Sequence, residues 1–578
     1  MRSLTGRLNL ARASAGEARG WAAALHLASL ACSLAFWAYL GRHLWFFDDE
    51  WQFLLARGVW YWPGDPRSIW YPHIGHWSTL PILLWRALYN LFHLSSYWPY
   101  LLVLLLTAVV VMHLLWRICV RNAVSPLVSA AAVAVVGFLG PGAEDLGWAF
   151  QVGFLGSIAF GLGAVLLADG ADLRGRARLW VPLCALASLM CSAVGDAMLV
   201  ALAIVLFARR PVKDALFILA PPLLSYAVWW AFLGHRGLGQ TGTSLSWDSF
   251  TALPGYVWTG LSTALGRSFN LEGAGGAILL AVLAWSLWAL RDLYTQRPAV
   301  LALGAGALAF YLLVGLGRGA AGDVGSTAPR YVYVGVALLV PAIACALSGL
   351  GPNWPQLAAV VLLLATALGD GGQAQTWAAG RTALVRSLAT EIRATAGLLA
   401  SGVQDLEGPA AAPVGYSPDL TAAQLARLGR SHLLGRLAVP PEAITEARAL
   451  LQVGLTKAKA YSGHFLVVSS RALVASPGPR GCTTYAPLSA TSGAQLVLRS
   501  SSARPASVLV LPTSPVVIGA TLAPRGGPAG TVPVPLRLAP GAEEHLDDTY
   551  AGAALRLQWA NGAAVNFCGL ARAPGQES

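Results

Sequence analysis

The sequence predicts a polytopic α-helical membrane protein with an extracytoplasmic α+β domain at its C-terminal end. Apolar residues make up 56% and charged residues 11% of the 578 residues, and the mean hydropathy is +0.59. Soluble domains usually contain about 25% charged residues. The chain therefore has too little polar surface for a cytosolic enzyme, a disordered scaffold or a small disulfide-stapled secreted domain.

The positive charges indicate an orientation. The formal net charge is +12, but the arginines lie in short loops between apolar runs. This is the positive-inside pattern and not a basic face for nucleic acid. Residues 1–20 carry four arginines against one acid and precede the apolar run 21–40, which has no cleavage site. We therefore expect a cytoplasmic N-terminus followed by a retained first helix.

Eleven membrane segments are predicted, each an apolar run able to cross roughly 30 Å of hydrocarbon or part of a helical pair. The stretch 179–208 is too long for one crossing and has basic loops at both ends, so it predicts two short helices that enter and return. The other spans are predicted at 21–40, 98–116, 124–139, 153–169, 215–233, 276–290, 298–316, 330–349 and 355–370. Everything after residue 370 then lies outside a cell membrane.

Two regions follow the predicted membrane domain 21–370. Residues 371–462 show helical periodicity, whereas residues 463–578 contain short apolar runs separated by Gly, Pro and Ser, which predicts a β-sandwich or jelly roll. Cys482 and Cys568 are the only cysteines after residue 370. In an oxidising compartment they can form a disulfide, or both can remain free thiols.

The first outside loop, 41–97, contains the most informative motif, Phe47-Asp48-Asp49-Glu50-Trp51. Three consecutive carboxylates beside a span raise one another's pKa, and the membrane interface penalises ionised acids. A cation, a metal or a substrate proton would offset that cost. The alternative is that the acids only cap a short interfacial helix.

Histidines follow in the same loop. The spacing His73-Ile-Gly-His76 predicts that both imidazoles share one helical face, as a metal pair needs. No third ligand is evident, so the metal stays unassigned. The next residue, Trp77, fits an aromatic belt or a sugar-stacking platform. Later in the chain, Arg330 begins a span and either binds substrate or reaches lipid headgroups.

These motifs resemble the GT-C superfamily of membrane glycosyltransferases over roughly residues 20–370. The similarity is greatest to a bacterial subgroup with an Asp-Asp-Trp-like motif and a His-x-x-His-Trp segment, here Asp48-Asp49-Glu50-Trp51 and His73 to Trp77. The segment that begins with Glu144-Asp145 and the Arg330-Tyr331 pair are also similar. Glu50 departs from the family pattern, because it separates the acidic pair from Trp51.

The resemblance implies an inverting transfer of a hexose or pentose from a polyprenyl-phosphate sugar to an envelope glycan or glycolipid on the outer face. Asp48 or Asp49 would be the general base, with Glu50 as the third candidate. No cofactor is required by a motif, and a divalent cation (Mg²⁺, Mn²⁺ or Ca²⁺) is left open. The predicted substrate-binding residues, which include the second-loop acids and two arginines for the lipid phosphate, are Glu144, Asp145, His73, His76, Trp77, Arg318, Arg330 and Tyr331.

In some GT-C enzymes that build actinobacterial cell-wall arabinan, the arabinofuranosyltransferases, the outside domain resembles a carbohydrate-binding jelly roll. The resemblance of residues 20–370 to the GT-C superfamily implies that the strand-rich region 463–578 plays that part here. Trp559 or Tyr550 would then stack on a sugar; the alternative is a structural lid. Two other function classes remain, a transporter or flippase of a lipid-linked glycan and a non-catalytic envelope scaffold. Transporters often show internal repeats and charges within their spans, whereas here no repeat is evident and the acids collect in loops.

Overall fold

The computed structural model divides into two compact units, Met1–Val385 and Arg386–Ser578. The first unit is helical, and the second contains the β-sheets. The structure describes residues 2–170, 177–240, 247–318, 322–351, 354–400, 420–431, 433–434, 439–440, 443–444, 447, 453–456, 465–488, 494–500, 506–514, 516–523, 534–538, 544–548, 554–559 and 563–570.

Sixteen α-helices are described, and their bounds are as follows. They are α1 (Arg2–Gly41), α2 (Thr79–Phe92), α3 (Trp98–Arg121), α4 (Pro126–Gly137), α5 (Ala143–Gly147), α6 (Val152–Ala168), α7 (Ala177–Leu189), α8 (Val194–Arg209), α9 (Val212–Phe232), α10 (Trp247–Ser268), α11 (Gly275–Trp288), α12 (Leu290–Gln296), α13 (Pro298–Arg318), α14 (Pro329–Ser348), α15 (Trp354–Ala400) and α16 (Ala422–Arg430).

Among the described residues, seven helices are long and apolar enough to cross a membrane, and two bent helix pairs raise the number to nine. The seven lie in α1, α3, α6, α9, α13, α14 and α15. The eleven predicted crossings are not confirmed. The stretch 179–208 does contain two helices, but α7 has 13 residues and α8 has 16, and a single crossing needs about 20.

Two further differences concern helices that continue where the sequence predicts loops or boundaries. Helix α10 lies within the predicted loop 234–275, and it packs against α11, α13 and α14. Helix α15 runs without interruption through residue 370, where the last span is predicted to end. Gly371 and Gly372 do not break it, although Gly369 and Asp370 precede them. Each glycine costs a helix only about 1 kcal/mol, and the helix continues through Ala- and Leu-containing sequence on both sides.

The break between α4 and α5 positions the second pair of acids. The two helices meet at a bend of 47°, and the chain at Gly140 approaches α15 very closely. A Cβ atom at Gly140 would lie 2.2 Å from the carbonyl oxygen of Asp370. Only glycine allows this approach, which directs α5, with Glu144 and Asp145, into the buried interior of the first unit.

Within its described residues, the second unit contains eleven strands in two sheets, and every neighbouring pair is antiparallel. They are β1 (Val453–Thr456), β2 (Phe465–Arg471), β3 (Leu473–Pro477), β4 (Thr483–Pro487), β5 (Ala494–Ser500), β6 (Ala506–Pro512), β7 (Val516–Ala523), β8 (Val534–Leu538), β9 (Glu544–Asp548), β10 (Ala554–Trp559) and β11 (Val565–Cys568).

One sheet has the order β1-β9-β6-β11-β4-β3 and the other β2-β5-β10-β7-β8. A single apolar cluster draws residues from both sheets, so the two sheets form a sandwich. Cys482 and Cys568 form a disulfide within it. Trp559 is 3% exposed and donates its indole N–H to the carbonyl of Ala563 at 3.0 Å. Its ring belongs to the core and cannot stack on a sugar from outside, while Tyr550 lies outside the described residues.

Candidate functional site

The three consecutive acids of the first loop adopt different environments. Asp48 has a positive φ of 53°, and the chain turns there between two buried aromatic residues, Phe47 and Trp51. Asp48 and Asp49 remain partly exposed, whereas Glu50 is fully buried. The left-handed turn therefore separates two accessible carboxylates from one that is part of the interior.

Glu50 is a structural anchor. Its Oε2 accepts from the backbone N–H of Phe47 at 2.7 Å, and its Oε1 accepts from the hydroxyl of Tyr97 at 2.7 Å. The Tyr97 oxygen in turn accepts from the N–H of Ala149 at 3.0 Å. Burial raises the pKa of Glu50 to about 8, although these hydrogen bonds act in the opposite direction. The side chain thus joins the first loop to α3 and to the turn before α6.

Asp49 faces a buried histidine. The Oδ2 atom of Asp49 lies 4.0 Å from Nε2 of His73. The other ring nitrogen, Nδ1, bonds to Oε1 of Gln52, which also accepts from Arg57 at 3.3 Å. Because arginine only donates, this Gln52 atom is the acceptor oxygen, and the hydrogen of a neutral His73 lies on Nδ1.

The Nε2 atom of His73 therefore carries a lone pair. Burial, followed by the nearby Arg57 charge and by His76, lowers the pKa of His73 well below its ordinary value, so the ring is neutral at neutral pH. Among the described residues, Nε2 is buried and has no hydrogen-bond partner. The Oδ2 atom of Asp49 and the Nε2 atom of His73 are thus two neighbouring acceptor atoms. This arrangement suits a ligand with donor hydrogens or a cation.

His73 and His76 do not share a helical face, so that prediction is wrong. They close a tight turn in which each backbone N–H donates to the other residue's carbonyl, at 3.0 and 2.8 Å. The central residues Ile74 and Gly75 both have positive φ, 48° and 80°. Gly75 adopts this conformation without steric cost, and the turn prevails over the helix.

The turn directs His76 toward a different set of groups. Its Nδ1 accepts from the backbone N–H of Ala193 at 3.2 Å, so the hydrogen of the neutral ring lies on Nε2. Burial, together with the charges of Arg318 and Arg330, lowers the pKa of His76 to about 4. His76 is therefore a neutral donor beside two cations.

Glu144 and Asp145 also separate. Arg330 donates to Oε1 of Glu144 at 2.9 Å, so it is an internal ion pair and does not only reach toward headgroups. Asp145 is fully buried, and neither of its carboxyl oxygens has a hydrogen-bond partner among the described residues. The guanidinium groups of Arg318 and Arg330 lie 6.0 and 5.3 Å from the ring of Tyr331.

Trp77 belongs to a separate aromatic cluster. Its ring stacks on Trp229 at 5.0 Å with an interplanar angle of 4°, and its indole N–H donates to Thr79 at 2.9 Å. The side chain is 6% exposed, so one ring face is covered by protein. The remaining predicted residues converge in two groups, Asp49 with His73 and the arginines with His76 and Glu144.

The sequence-based prediction omits Arg381, a residue of α15. Its guanidinium lies 4.4 Å from the ring centroid of Phe47, 5.3 Å from Trp377 and 5.8 Å from Trp148. No local signal indicated this position, because the segment after residue 370 was assigned to a separate domain. Gln52 was also omitted, although it directly follows the acidic motif. Within the described ranges, no group of three or more His, Cys, Asp or Glu residues is placed to hold a metal ion.

Comparisons with known proteins are sparse. No protein-family model and no curated protein matches the sequence. One similar solved structure is the oligosaccharyltransferase of Archaeoglobus fulgidus in complex with Zn and sulfate, with 15% identity, 61% of this chain and 53% of that chain covered, and a TM-score of 0.37. The same protein tethered to an acceptor peptide containing the NVT sequon gives 14% identity, coverage of 72% and 59%, and a TM-score of 0.38.

This chain spans between half and two thirds of the length of that archaeal protein. The overlap is too weak to establish a shared fold or a shared activity. A functional assignment therefore depends on the chemistry of the site.

Proposed function

We propose that this protein is a membrane glycosyltransferase of the GT-C type. It moves a sugar from a polyprenyl-phosphate donor to an envelope glycan or glycolipid by inverting transfer, with Asp49 as the general base. The observation that supports this proposal is the pair of acceptors, Asp49 Oδ2 and His73 Nε2, separated by 4.0 Å. Asp49 is preferred to Glu50, which is buried and bonded to Phe47 and Tyr97.

The acceptor pair suits a sugar as the nucleophile. An inverting transfer needs a carboxylate that takes the proton of the attacking hydroxyl. One hydroxyl of an acceptor sugar donates to Asp49, and a neighbouring hydroxyl donates to the buried lone pair of His73. The second bond satisfies an otherwise unpaired nitrogen, which favours a ligand with two adjacent donors over one with a single donor. Gln52 keeps the imidazole in the required tautomer.

The arginine group suits the leaving phosphate. A polyprenyl phosphate leaves as a phosphate ester, so the site needs positive charge and hydrogen-bond donors but no strong acid. Arg318 and Arg330 supply the charge, and the Nε2–H of His76 supplies a neutral donor. Glu144 pairs with Arg330 and orients it. Tyr331 lies against both guanidinium groups.

A divalent cation is a further part of the proposal. The Asp49 carboxylate is a ligand that Mg²⁺, Mn²⁺ and Ca²⁺ accept, whereas the His73 imidazole is not preferred by Mg²⁺ or Ca²⁺ and is left to the acceptor hydroxyl. A cation on Asp49 would neutralise charge near the phosphate. One protein ligand alone holds a cation weakly, so substrate oxygens would complete its coordination. Metal dependence is therefore expected only with substrate present.

The site and the second unit are proposed to face the outside of a cell membrane, with the N-terminus in the cytoplasm. The Cys482–Cys568 disulfide supports an oxidising compartment for the second unit. The neighbour orders β4-β11-β6-β9 and β5-β10-β7-β8 in the two sheets support the proposal that this sandwich is a jelly roll. A glycan-binding role for this sandwich would need a surface other than Trp559.

The test is a transfer assay on the full chain in nanodiscs. Radiolabelled polyprenyl-phosphate arabinose, mannose, glucose and galactose are supplied with an envelope glycan extract. Label should enter glycan with the wild type, and Asp49→Asn should lower the rate by about 10²–10⁴-fold, as expected for loss of a general base. Asp48→Asn is the matched control, because it removes the neighbouring carboxylate of the same motif and leaves Asp49 and His73 in place.

Equal rates for Asp49→Asn and the wild type would contradict the assignment of the base. Absence of transfer from every donor, with Asp49→Asn still restoring the envelope of a deletion strain, would contradict catalysis. A flippase of a lipid-linked glycan and a non-catalytic scaffold would then be tested by measuring transbilayer movement of the donor.

A further inference from the structure

The segment Gly58–Ser68, which we call the tryptophan loop, presents two large aromatic side chains away from the protein. Trp60 is 94% exposed and Trp62 is 79% exposed. Tyr61 between them is 38% exposed and Val59 before them is 49% exposed. Soluble surfaces seldom present such a run of aromatic residues, and an exposed apolar patch of this kind usually marks an interaction site.

The loop is held in one conformation. The N–H of Gly58 donates to the carbonyl of Arg67 at 2.8 Å, and Arg57 donates to the carbonyl of Ser68 at 2.8 Å. Near the tip, the Asp65 carboxylate accepts from the backbone N–H and from two side-chain nitrogens of Arg67, at distances between 2.8 and 3.0 Å. Presenting the tryptophans in a preformed loop reduces the entropy lost when they bind.

The loop lies at the C-terminal end of α9. The indole N–H of Trp229 donates to the carbonyl of Trp70 at 2.9 Å. A groove of about 520 Å³ is lined by Pro63 in the loop, by Trp70 just beyond it, and by α9 residues that include Leu224, Val228 and Phe232. A Cβ atom at Gly64 would lie 3.0 Å from the guanidinium of Arg236, which follows α9 by four residues.

These contacts place the loop at the boundary of the membrane. Helix α9 is a candidate span, and its side chains Leu224, Val228 and Phe232 are 65%, 57% and 68% exposed. On a membrane span, such side chains face acyl chains. Since the tryptophan loop contacts the last turns of α9, its tip lies at the depth of the lipid headgroups.

We propose that the tryptophan loop inserts Trp60 and Trp62 into the headgroup region of the leaflet at the C-terminal end of α9. The partner is the lipid bilayer itself. Indole rings favour this zone because they combine an apolar face with an N–H donor. The Asp65–Arg67 ion pair belongs to the same loop and remains on the aqueous side of the membrane interface.

The anchor also positions the candidate site. Arg57 donates to the carbonyls of Tyr71 and Pro72 at 2.9 and 3.0 Å, and Pro72 precedes His73. Holding the tryptophan loop in the interface therefore sets the height of the His73 turn above the hydrocarbon. The insertion itself does not depend on the proposed activity, so the two are tested separately.

The test is photocrosslinking of the full chain in nanodiscs that contain phosphatidylcholine with a diazirine on the upper acyl chain. Trypsin cuts after Arg57 and Arg67, so one peptide, 58–67, carries both tryptophans. Cleavage after Lys213 and after Arg236 releases peptide 214–236, which carries the exposed face of α9 and is the internal reference. Lipid adducts are expected on both peptides.

Adducts on the α9 peptide without adducts on peptide 58–67 would overturn the proposal. A water-soluble oxidant would then be applied to the protein and, without detergent, to the unfolded peptide. Equal oxidation rates of Trp60 and Trp62 in the two samples would show that both side chains lie in water, where a soluble partner such as a glycan could bind them. The variant Trp60→Ser with Trp62→Ser should lose lipid adducts on its loop peptide and keep those on α9. Trp354→Ser, which removes a 77% exposed tryptophan elsewhere, should keep both.

Discussion

In the described parts of the chain, the two units differ in how some of their buried polar groups are paired. In the β-sandwich, the buried side chain of Asn566 has its amide nitrogen bonded to Leu511 at 3.0 Å and its oxygen bonded to Thr484 at 2.6 Å. In the helical unit, His73 Nε2 and both carboxyl oxygens of Asp145 are buried without a hydrogen-bond partner among the described residues. Unpaired buried polar atoms cost about 1–3 kcal/mol each. This cost is expected where a ligand completes the bonds, so the difference supports the proposal that the ligand site lies in the helical unit and that the sandwich core serves stability.

The largest effect is expected in the sandwich core. Trp559→Ala should lower the stability of the second unit by about 3–5 kcal/mol, because it removes a large buried ring and leaves a cavity. Hydrogen exchange followed by mass spectrometry should show lost protection in β5 and β7, which pair with β10. Peptides of the helical unit should keep their protection.

Trp559→Phe is the control for this change, and its loss of protection should be smaller because most of the apolar volume is retained. A normal exchange pattern in Trp559→Ala, combined with lost glycan binding, would contradict the division of roles. It would show that Trp559 contacts ligand.

An intermediate effect is expected at the Arg330–Glu144 ion pair. Arg330→Ala leaves the Glu144 carboxylate, which is 9% exposed, without its cation. The arginine side chain is 32% exposed, so the destabilisation should be about 1–3 kcal/mol, between the values of surface and buried pairs. The midpoint of thermal unfolding in detergent measures it, together with the KM for the donor, which should rise.

The double variant Arg330→Ala with Glu144→Gln separates the contributions. Removing the carboxylate charge should restore much of the lost stability without restoring the KM. Strict additivity of the two changes would show that the ion pair is not coupled in solution. Unchanged KM in both variants would remove Arg330 from the phosphate site.

At neutral pH the smallest effect is expected from Glu50→Gln, because a carboxyl with a pKa of about 8 is mostly protonated there and the amide replaces a neutral group of similar shape. Because its pKa in the folded protein is about 8, above its ordinary value of 4.5, the folded state binds a proton that the unfolded state releases. The stabilisation is complete below about 4.5 and is lost as the pH rises through about 8. Glu50→Gln should flatten this part of the stability profile in thermal unfolding measured between pH 5 and 9, a range chosen around these two values.

The isosteric Glu50→Gln keeps an acceptor for Tyr97 and should therefore retain most transfer activity. Glu50→Ala is the contrasting variant, because it removes the link to Tyr97 and the anchoring of the loop. A loss of turnover in Glu50→Gln equal to that in Asp49→Asn would make Glu50 the base. The assignment of Glu50 as an anchoring acid and of Asp49 as the accessible, catalytic acid would then be wrong.

Local patterns predicted much of the architecture. Long apolar runs indicated the spans in α1, α3, α9, α13 and α14, because a membrane helix needs only an uninterrupted apolar segment. Short runs with Gly, Pro and Ser indicated the strands after residue 463. The patterns did not indicate α10, which is less apolar and is held by packing against α11, α13 and α14.

The site was predictable in composition but not in arrangement. Asp48, Asp49 and Glu50 are consecutive in the sequence, so the motif can be recognised without knowledge of the fold. Its division into two accessible acids and one buried acid depends on Tyr97 and on the left-handed turn at Asp48. The histidine spacing favoured a helix. The turn through Gly75 prevailed because Arg57 bonds to the carbonyls of the residues before His73 and the N–H of Ala193 bonds to the His76 ring.

By itself, the sequence determined that the chain is rich in membrane-length apolar segments, that its C-terminal region is rich in strands, and that acids and histidines concentrate in its first long loop. Hydrophobicity and residue chemistry are local properties, so they are readable without a fold. Only the tertiary structure decided that Asp49 faces the lone pair of His73, that Arg330 pairs with Glu144, and that Arg381 lies over Phe47. Hydrogen bonds and charge pairs act over a few ångströms, and here they join residues that are tens to hundreds of positions apart in the chain.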